Sequence, residues 1–508
     1  MVKNVTTVFK VSAAVMFLLV LAGVLMPDAL ETITANIQTF ISNAFGWYYL
    51  ILVTFFVIVC LFFLISPVGR IKLGKPDDEP EFSRPTWIAM LFSAGMGIGL
   101  VFWGTAEPIS HYAVSSPTGE TGTNQAIKDA MRFTYFHWGV HAWAIYGIVA
   151  LVLAYFKFRH GKPGLISATL YPVLGKKAEG PLGKIIDILA VIATVIGVAT
   201  TLGFGAVQIN GGLSFLFGLP VNIVVQFVIV AVVTVLFMYS AWSGLSKGIK
   251  ILSNANMLLA VLLFAVMFIL GPTMFILNLF TNTIGTYLQN LPAMSFRIAP
   301  LDEDTRSWIT GWTVFYWAWW IAWSPFVGIF IARVSRGRSI REFVFTVLLI
   351  PSVIGFLWFS TFGGTAISLE HEGLARISEY ATEESLFGVF SNYPLGMIAS
   401  ILAICLIGTF FITSADSGTF VLGMMTSNGS LSPGKGIKLT WGVLLSATAL
   451  ALLYTGGLQA LQNTMIAAAF PFSFIMLLMT ISLIKSLYGE ARELGIGRFN
   501  PPNRSYKR

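Results

Sequence analysis

Long apolar runs, separated by short polar and basic segments, dominate this chain. The runs Val11 to Met26, Trp47 to Ile65, Val221 to Met238 and Leu252 to Leu270 are each close to the roughly 20 residues that a helix needs to cross hydrocarbon. The same pattern predicts twelve spans, near residues 9–26, 47–66, 87–106, 133–156, 185–206, 220–240, 252–280, 308–332, 343–366, 395–425, 438–456 and 463–484. Basic residues sit on alternate connections. With the N-terminus placed in the cytoplasm, all but Lys128, Arg132, Arg297, Arg306 and Arg376 of the 31 lysines and arginines fall on the inner side. One missed span would invert everything after it, so the bias supports the count and puts both termini inside. The first run follows Lys3 and Lys10 as a signal peptide would, but no small-residue cleavage pattern follows it, so it reads as a retained span. Residues 281–300 are only moderately apolar and read in part as a helix lying at the outer interface.

Composition agrees with a lipid surround. Of the 508 residues, 56% are hydrophobic and 11% charged, against about 25% charged in an average soluble domain. The net charge of +8 is then a topology signal, and no nucleic-acid partner is implied. Cys60 and Cys405, inside apolar runs, read as buried free thiols. His137 and His141 share a helix face, but no carboxylate or third ligand completes a metal site with them. There is no nucleotide loop, nucleophile elbow or pair of catalytic acids, which argues against an enzyme and against a bound cofactor.

Two spans carry helix-weakening residues. The third holds Ser93-Ala94-Gly95-Met96-Gly97-Ile98-Gly99, and the eighth holds Trp323-Ser324-Pro325. Glycines at alternate positions loosen a helix, and proline removes one of its hydrogen bonds. The two spans are five apart, and each opens a set of five. Interrupted helices at matching positions of two halves point to a transporter binding site. The eighth span also concentrates tryptophan: Trp308, Trp312, Trp317, Trp319, Trp320 and Trp323 are six of the chain's 14. On a helix Trp312, Tyr316, Trp319, Trp320 and Trp323 form one stripe, and the fourth span adds Trp138, Trp143 and Tyr146. Aromatic faces attract quaternary ammonium groups, which donate no strong hydrogen bonds. No carboxylate is interleaved with these aromatics, and Gly99 leaves room, so the pattern favours a zwitterion over a bare cation. In the tenth span, Phe410-Phe411-Ile412-Thr413-Ser414-Ala415-Asp416-Ser417 offers hydroxyls suited to a hard cation. Asp416 is an intramembrane acid, suited to a proton relay or to orienting those hydroxyls.

At SAGMGIGLVFWGTAEPISHY (93–112), FHWGVHAWAIY (136–146), TVFYWAWWIAWSPFVGIFIARVSRGRSIREF (313–343) and FFITSADS (410–417) the chain resembles the betaine/choline/carnitine transporter family, most of all the glycine betaine carriers of Gram-positive bacteria. The resemblance implies an all-α polytopic membrane protein of twelve helices, with a leucine-transporter-like inverted five-helix repeat behind two extra N-terminal helices. On that basis residues 1–86 hold the N-terminal tail and two peripheral spans, 87–280 the first repeat, 281–307 an outer connector, 308–484 the second repeat and 485–508 a basic cytoplasmic tail. It implies a betaine site at Met96, Ile98, Gly99, Trp138, Trp143, Tyr146, Trp319, Trp320 and Trp323, and Thr201 joins the candidate substrate contacts. It implies a sodium site at Ser93, Ala94, Met96, Phe410, Thr413 and Ser414. A second sodium site proposed in the family uses two threonines on the fifth span; here Thr194 matches and Val198 does not. Choline carriers carry an acid where Gly99 sits. The expected activity is sodium-coupled uptake of glycine betaine for osmoprotection by a homotrimer in the bacterial plasma membrane, with the basic tail facing anionic lipid. A proton-coupled or exchanging carrier of choline, carnitine or a related betaine is the alternative.

Overall fold

The computed structural model describes residues 5–95, 97–243 and 246–496, and within them it is helical, with one isolated bridge between Lys72 and Ser339. Helix α1 (Thr7–Leu25) starts where the Thr6 hydroxyl accepts from the Phe9 N–H, and a single residue, Met26, separates it from α2 (Pro27–Ile65). Proline suits that first helical position, because its missing N–H would have no partner there. Next come α3 (Arg84–Gly95), α4 (Ile98–Ala113), α5 (Asn124–Trp138), α6 (Val140–Ala154), α7 (Pro181–Phe217), α8 (Ile223–Ser243), α9 (Ser246–Leu270) and α10 (Thr273–Ser295). A short helix, Glu303–Trp308, and a π-helical turn, Ile309–Val314, lead into α11 (Phe315–Val334). The chain closes with α12 (Ile340–His371), α13 (Gly396–Met425) and α14 (Lys435–Glu493).

Among the described residues, 10 helical stretches are long and apolar enough to cross a membrane. α3 and α4 are each too short to do so alone. α14, at 59 residues, is far longer than one crossing needs and bends at Gly456 and Gly457. Gly457 has φ 60 and ψ −141, a region essentially reserved for glycine. The helices fall into two groups by burial. α5, α6, α7 and α11 are packed inside the molecule, whereas α1, α8 and α9 turn most of their apolar side chains outward, among them Leu18, Phe227, Val235 and Leu258. An apolar outer surface of this kind is the mark of a lipid-facing wall.

Four expectations from the sequence are corrected. The seventh span does not continue to residue 280: α9 stops at Leu270 before Gly271-Pro272, and α10 is a separate helix that the expected boundary at 280 cuts through. Pro325 does not break the eighth span, because α11 runs through it. The carbonyl of Ile321, which the proline nitrogen cannot reach with a proton, accepts from the Ser324 hydroxyl at 2.8 Å instead. The break lies in the fourth span, at Gly139 between α5 and α6. There a Cβ would stand 2.6 Å from the Tyr135 carbonyl, and the free Val140 N–H donates to the Tyr287 hydroxyl. Of the two cysteines, Cys60 is buried but Cys405 is exposed on the outer surface.

At one end of the bundle the connection after α2 is clasped to the one between α11 and α12. The Leu73 and Gly337 N–H groups donate to the Arg338 and Leu73 carbonyls, both at 2.8 Å. Asp78 accepts from the Lys75 N–H and from Arg336, and these hold its carboxyl below the usual carboxylate range. Arg159 reaches the Gly74 carbonyl and pairs with Glu490 near the end of α14. This clasp fixes the end of α11 that carries Arg333.

Candidate functional site

The interruption between α3 and α4 is the starting point of the site. Gly97 is extended, with φ −165 and ψ −178, and its carbonyl accepts the first bond of α4 from the Leu100 N–H. Behind this break a cavity of about 630 Å³ opens between α4, α5, α6, α7, α9, α11 and α13. It runs from the tryptophans to Arg333 at the end of α11 and Lys438 at the start of α14.

Nine of the ten expected substrate contacts line this one cavity: Ile98, Gly99, Trp138, Trp143, Tyr146, Thr201, Trp319, Trp320 and Trp323. So do Ser93, Phe410, Thr413 and Ser414 of the expected sodium site. Met96 and the Ala94 side chain lie outside the described residues. Thr194 is buried and bonded to the Ala190 carbonyl of its own helix, away from the cavity wall, with Val198 also buried.

The aromatic part is a locked box. Trp319 and Trp320 stack at 4.8 Å between centroids and 14° between planes. Trp138 meets Trp320 edge-on at 4.8 Å and 70°, and Tyr146 approaches Trp320 at 6.0 Å. Each indole N–H of this group has an acceptor: Trp138 donates to Glu107 at 2.6 Å, Trp319 to the Thr201 hydroxyl at 3.2 Å, Trp320 to the His137 carbonyl at 3.0 Å and Trp323 to the Gly197 carbonyl at 2.8 Å. Trp317 lies on the other face of α11, fully buried and stacked on His141 at 5.5 Å. Trp308 and Trp312 both donate to Ser115 and so pin the loop after α4. At Gly99 a Cβ would lie 2.6 Å from the Trp319 ring, so an acid placed there must displace that ring.

The far wall is hydroxylic. The Thr413 hydroxyl donates to the Thr409 carbonyl at 3.0 Å and accepts from the Asn256 amide at 2.9 Å. Asn256 is buried, lines the cavity, and its Oδ1 has no partner among the described residues. The sequence expectations did not include it; its only signal was a pair of asparagines, Asn254 and Asn256, at the start of an apolar run. Asp416, Ser417 and Lys438 continue this wall.

From the sequence, Glu107 lies before Pro108 at the end of a third span drawn to Ala106 and carries little weight; α4 instead continues to Ala113 and buries Glu107 completely. Its carboxylate accepts from Trp138 and from the Tyr316 hydroxyl, each at 2.6 Å, and faces His137 Nδ1 at 2.7 Å and His111 Nε2 at 3.3 Å. Two expectations therefore change. A carboxylate does stand among the aromatics, brought from a different helix. His137 also has an acid and a second histidine beside it, with ligand atoms of Glu107, His111 and His137 within 4.8 Å of one another. His141 goes elsewhere, to Ser295.

Comparison with known proteins places the chain in a transporter family. The betaine/carnitine/choline family transporter (BCCT) profile matches residues 7–492. The chain is 60% identical to the glycine betaine transporter OpuD of Bacillus subtilis over 97% of its own length and 96% of the relative's. It is 46% identical to the ectoine/hydroxyectoine transporter of Virgibacillus pantothenticus, covering 94% and 96% of the two chains. It is 45% identical to the glycine betaine transporter of Acinetobacter baylyi, covering 91% and 70%. With its apolar outer helices, its aromatic cavity and this match along nearly its whole length, the chain is a multi-pass membrane transporter rather than an enzyme, and it belongs to the betaine/carnitine/choline transporter family.

Proposed function

We propose that this transporter carries glycine betaine into the cell, driven by sodium, as an osmoprotectant. The observation that carries the reading is the aromatic box: Trp138, Trp319 and Trp320 present ring surface to one cavity, and each desolvated ring contact with a quaternary ammonium is worth roughly 2 kcal/mol. The ligand's own carboxylate would balance its charge, since the one acid in the box, Glu107, is shielded behind the rings. Two relatives that are named glycine betaine transporters support that substrate. A third is named for ectoine and hydroxyectoine, which makes these the competitors to include in any assay.

Sodium would sit between the hydroxyls of Thr413 and Ser414 and the end of α3, whose Ser93 lines the same cavity, taking hydroxyl oxygens together with backbone carbonyls freed by the break. Each sodium charge moving through about 100 mV supplies roughly 2.3 kcal/mol, or between about one and two decades of substrate gradient. The same proposal takes the interrupted α3–α4 stretch as one span and the two arms of α14 as two, giving twelve. α3 to α9 and α11 to α14 would then be the two five-helix repeats. The basic residues put both termini in the cytoplasm of a bacterial cell, so that the cavity, reaching Arg333 and Lys438, faces inward. A homotrimer is part of the proposal. So is contact of residues 485–508 with anionic lipid, although 497–508 lie outside the described residues. Radiolabelled betaine uptake into proteoliposomes, with and without an inward sodium gradient, tests the whole reading. Uptake that ignores sodium but follows a proton gradient would replace it with proton coupling through Asp416.

A further inference from the structure

We propose that Glu107 sets the preference of the box for a cationic head group, acting through the rings it holds rather than by touching the ligand. The inference rests on the reading of the box as a quaternary-ammonium site. Glu107 is fully buried and does not line the cavity. One of its oxygens accepts from both Trp138 and Tyr316 at 2.6 Å. Trp138 is itself a wall of the cavity. Tyr316 stacks on Trp319 at 6.1 Å and 24° and on Trp320 at 5.7 Å and 26°. One hydrogen bond therefore leads from the carboxylate into a ring that a ligand would face, and the other into Tyr316, whose ring backs two more such rings, Trp319 and Trp320.

An indole or phenol that donates to an anionic acceptor is polarised, and negative charge shifts into its ring. Cation attraction depends on the negative face of the ring, so it strengthens. A neutral glutamine could accept the same two bonds. Burying an acid instead is costly unless it is paired or hydrogen-bonded. The other oxygen meets that condition, facing His137 Nδ1 and His111 Nε2, and Thr313 contacts the far nitrogen of His137 at 2.9 Å. An elaborate support for charge at a position that neutral support would also fill points to the charge as the useful part. Because the rings stand between Glu107 and the cavity, it neither pairs with the ligand's cation nor directly opposes its carboxylate.

The test compares betaine with 3,3-dimethylbutanoate, which keeps the shape and the carboxylate but replaces the charged nitrogen with carbon. Binding of both to the purified full chain at saturating sodium is measured by calorimetry, or by inhibition of betaine uptake where affinity is low. Glu107→Gln should weaken betaine by about tenfold and change 3,3-dimethylbutanoate by less than about twofold. Tyr316→Phe, which keeps the ring and removes one bond to Glu107, should weaken betaine alone by about threefold; it carries the test if Glu107→Gln does not fold. Equal weakening of both ligands would mean that Glu107 only props up the box, and unchanged betaine affinity would mean that it does neither; either result overturns the proposal. A parent protein that does not bind betaine at all would overturn the reading of the site instead.

Discussion

The aromatic box and the hydroxyl wall face each other across one cavity, and they are built in opposite ways. In the box, four indole N–H groups each hold a fixed acceptor on another helix, so the ring surfaces are set before any ligand arrives. In the wall, the Thr413 hydroxyl bonds to its own helix and to Asn256, and both bonds can be exchanged for an ion without moving a helix. Rigid ring surface lowers the ordering cost of binding a small substrate. Exchangeable hydroxyls allow a second ligand to alter the arrangement, which coupling between two ligands requires. On the proposed function, affinity would reside in the box and coupling in the wall.

The sharpest break of that division comes from the wall. Coupling between sites is typically worth a factor of about 5 to 150, and it is reciprocal, so sodium and betaine should tighten each other equally. Thr413→Ala with Ser414→Ala should remove this mutual effect while betaine still binds the intact box. Betaine binding across a sodium titration at fixed ionic strength reads it, and a double variant with the parent's sodium dependence would move the ion site elsewhere. The box should respond differently. Trp320→Ala should raise the betaine KM at least about tenfold through loss of one ring face. Trp317→Ala, on the opposite face, should leave KM nearly unchanged but cost about 3–5 kcal/mol of stability by emptying a buried site. Equal KM effects from the two would erase the distinction between cage and core.

How much of this was legible in the sequence follows the same contrast. The box was readable because a helical stripe of tryptophans is a local pattern, and Trp312, Tyr316, Trp319, Trp320 and Trp323 fall on one face wherever the helix lies. The break at Gly97 was readable for a like reason, since three glycines at alternate positions weaken any helix. What holds the box was not readable. Glu107 reaches Trp138 and Tyr316 from a third helix, and no spacing along the chain encodes that approach. Gly139 looked like one glycine in an apolar run, and only the crowding of Tyr135, Tyr287 and Phe356 around it makes it a break. Pro325 misled for the opposite reason: the residue before it, Ser324, supplies the bond that proline withholds.

Asn256 sharpens the wall. Among the described residues it is the side chain that donates to the Thr413 hydroxyl, and its own buried Oδ1 has no partner there. An oxygen in that position is a ready ligand for a hard cation. Asn256→Leu should therefore raise the sodium activation constant by about fivefold, the equivalent of one hydrogen bond of roughly 1 kcal/mol. Betaine affinity at saturating sodium should not change. Uptake measured against sodium at two fixed betaine concentrations separates these effects, and a variant affected only in betaine KM would place Asn256 with the box.

The smallest expected effect lies on the side of the box, at Thr201. Its hydroxyl accepts from the Trp319 N–H at 3.2 Å, the longest of the four indole bonds. Trp319 is otherwise held by stacking on Trp320 and by the edge of Phe204 at 5.1 Å. Losing one long, neutral hydrogen bond from a ring so well packed should cost well under the 1.5 kcal/mol upper end for such bonds, or about a threefold rise in betaine KM. Thr201→Val removes the acceptor with almost no change of volume, and Thr201→Ser puts the hydroxyl back. If rigid rings supply the affinity, the valine variant should lose betaine affinity with kcat and sodium activation unchanged, and the serine variant should recover it. A change in sodium activation, from a residue whose described bonds go to Trp319 and to the Gly197 carbonyl, would show that box and wall are not separable, and that coupling passes through the ring positions themselves.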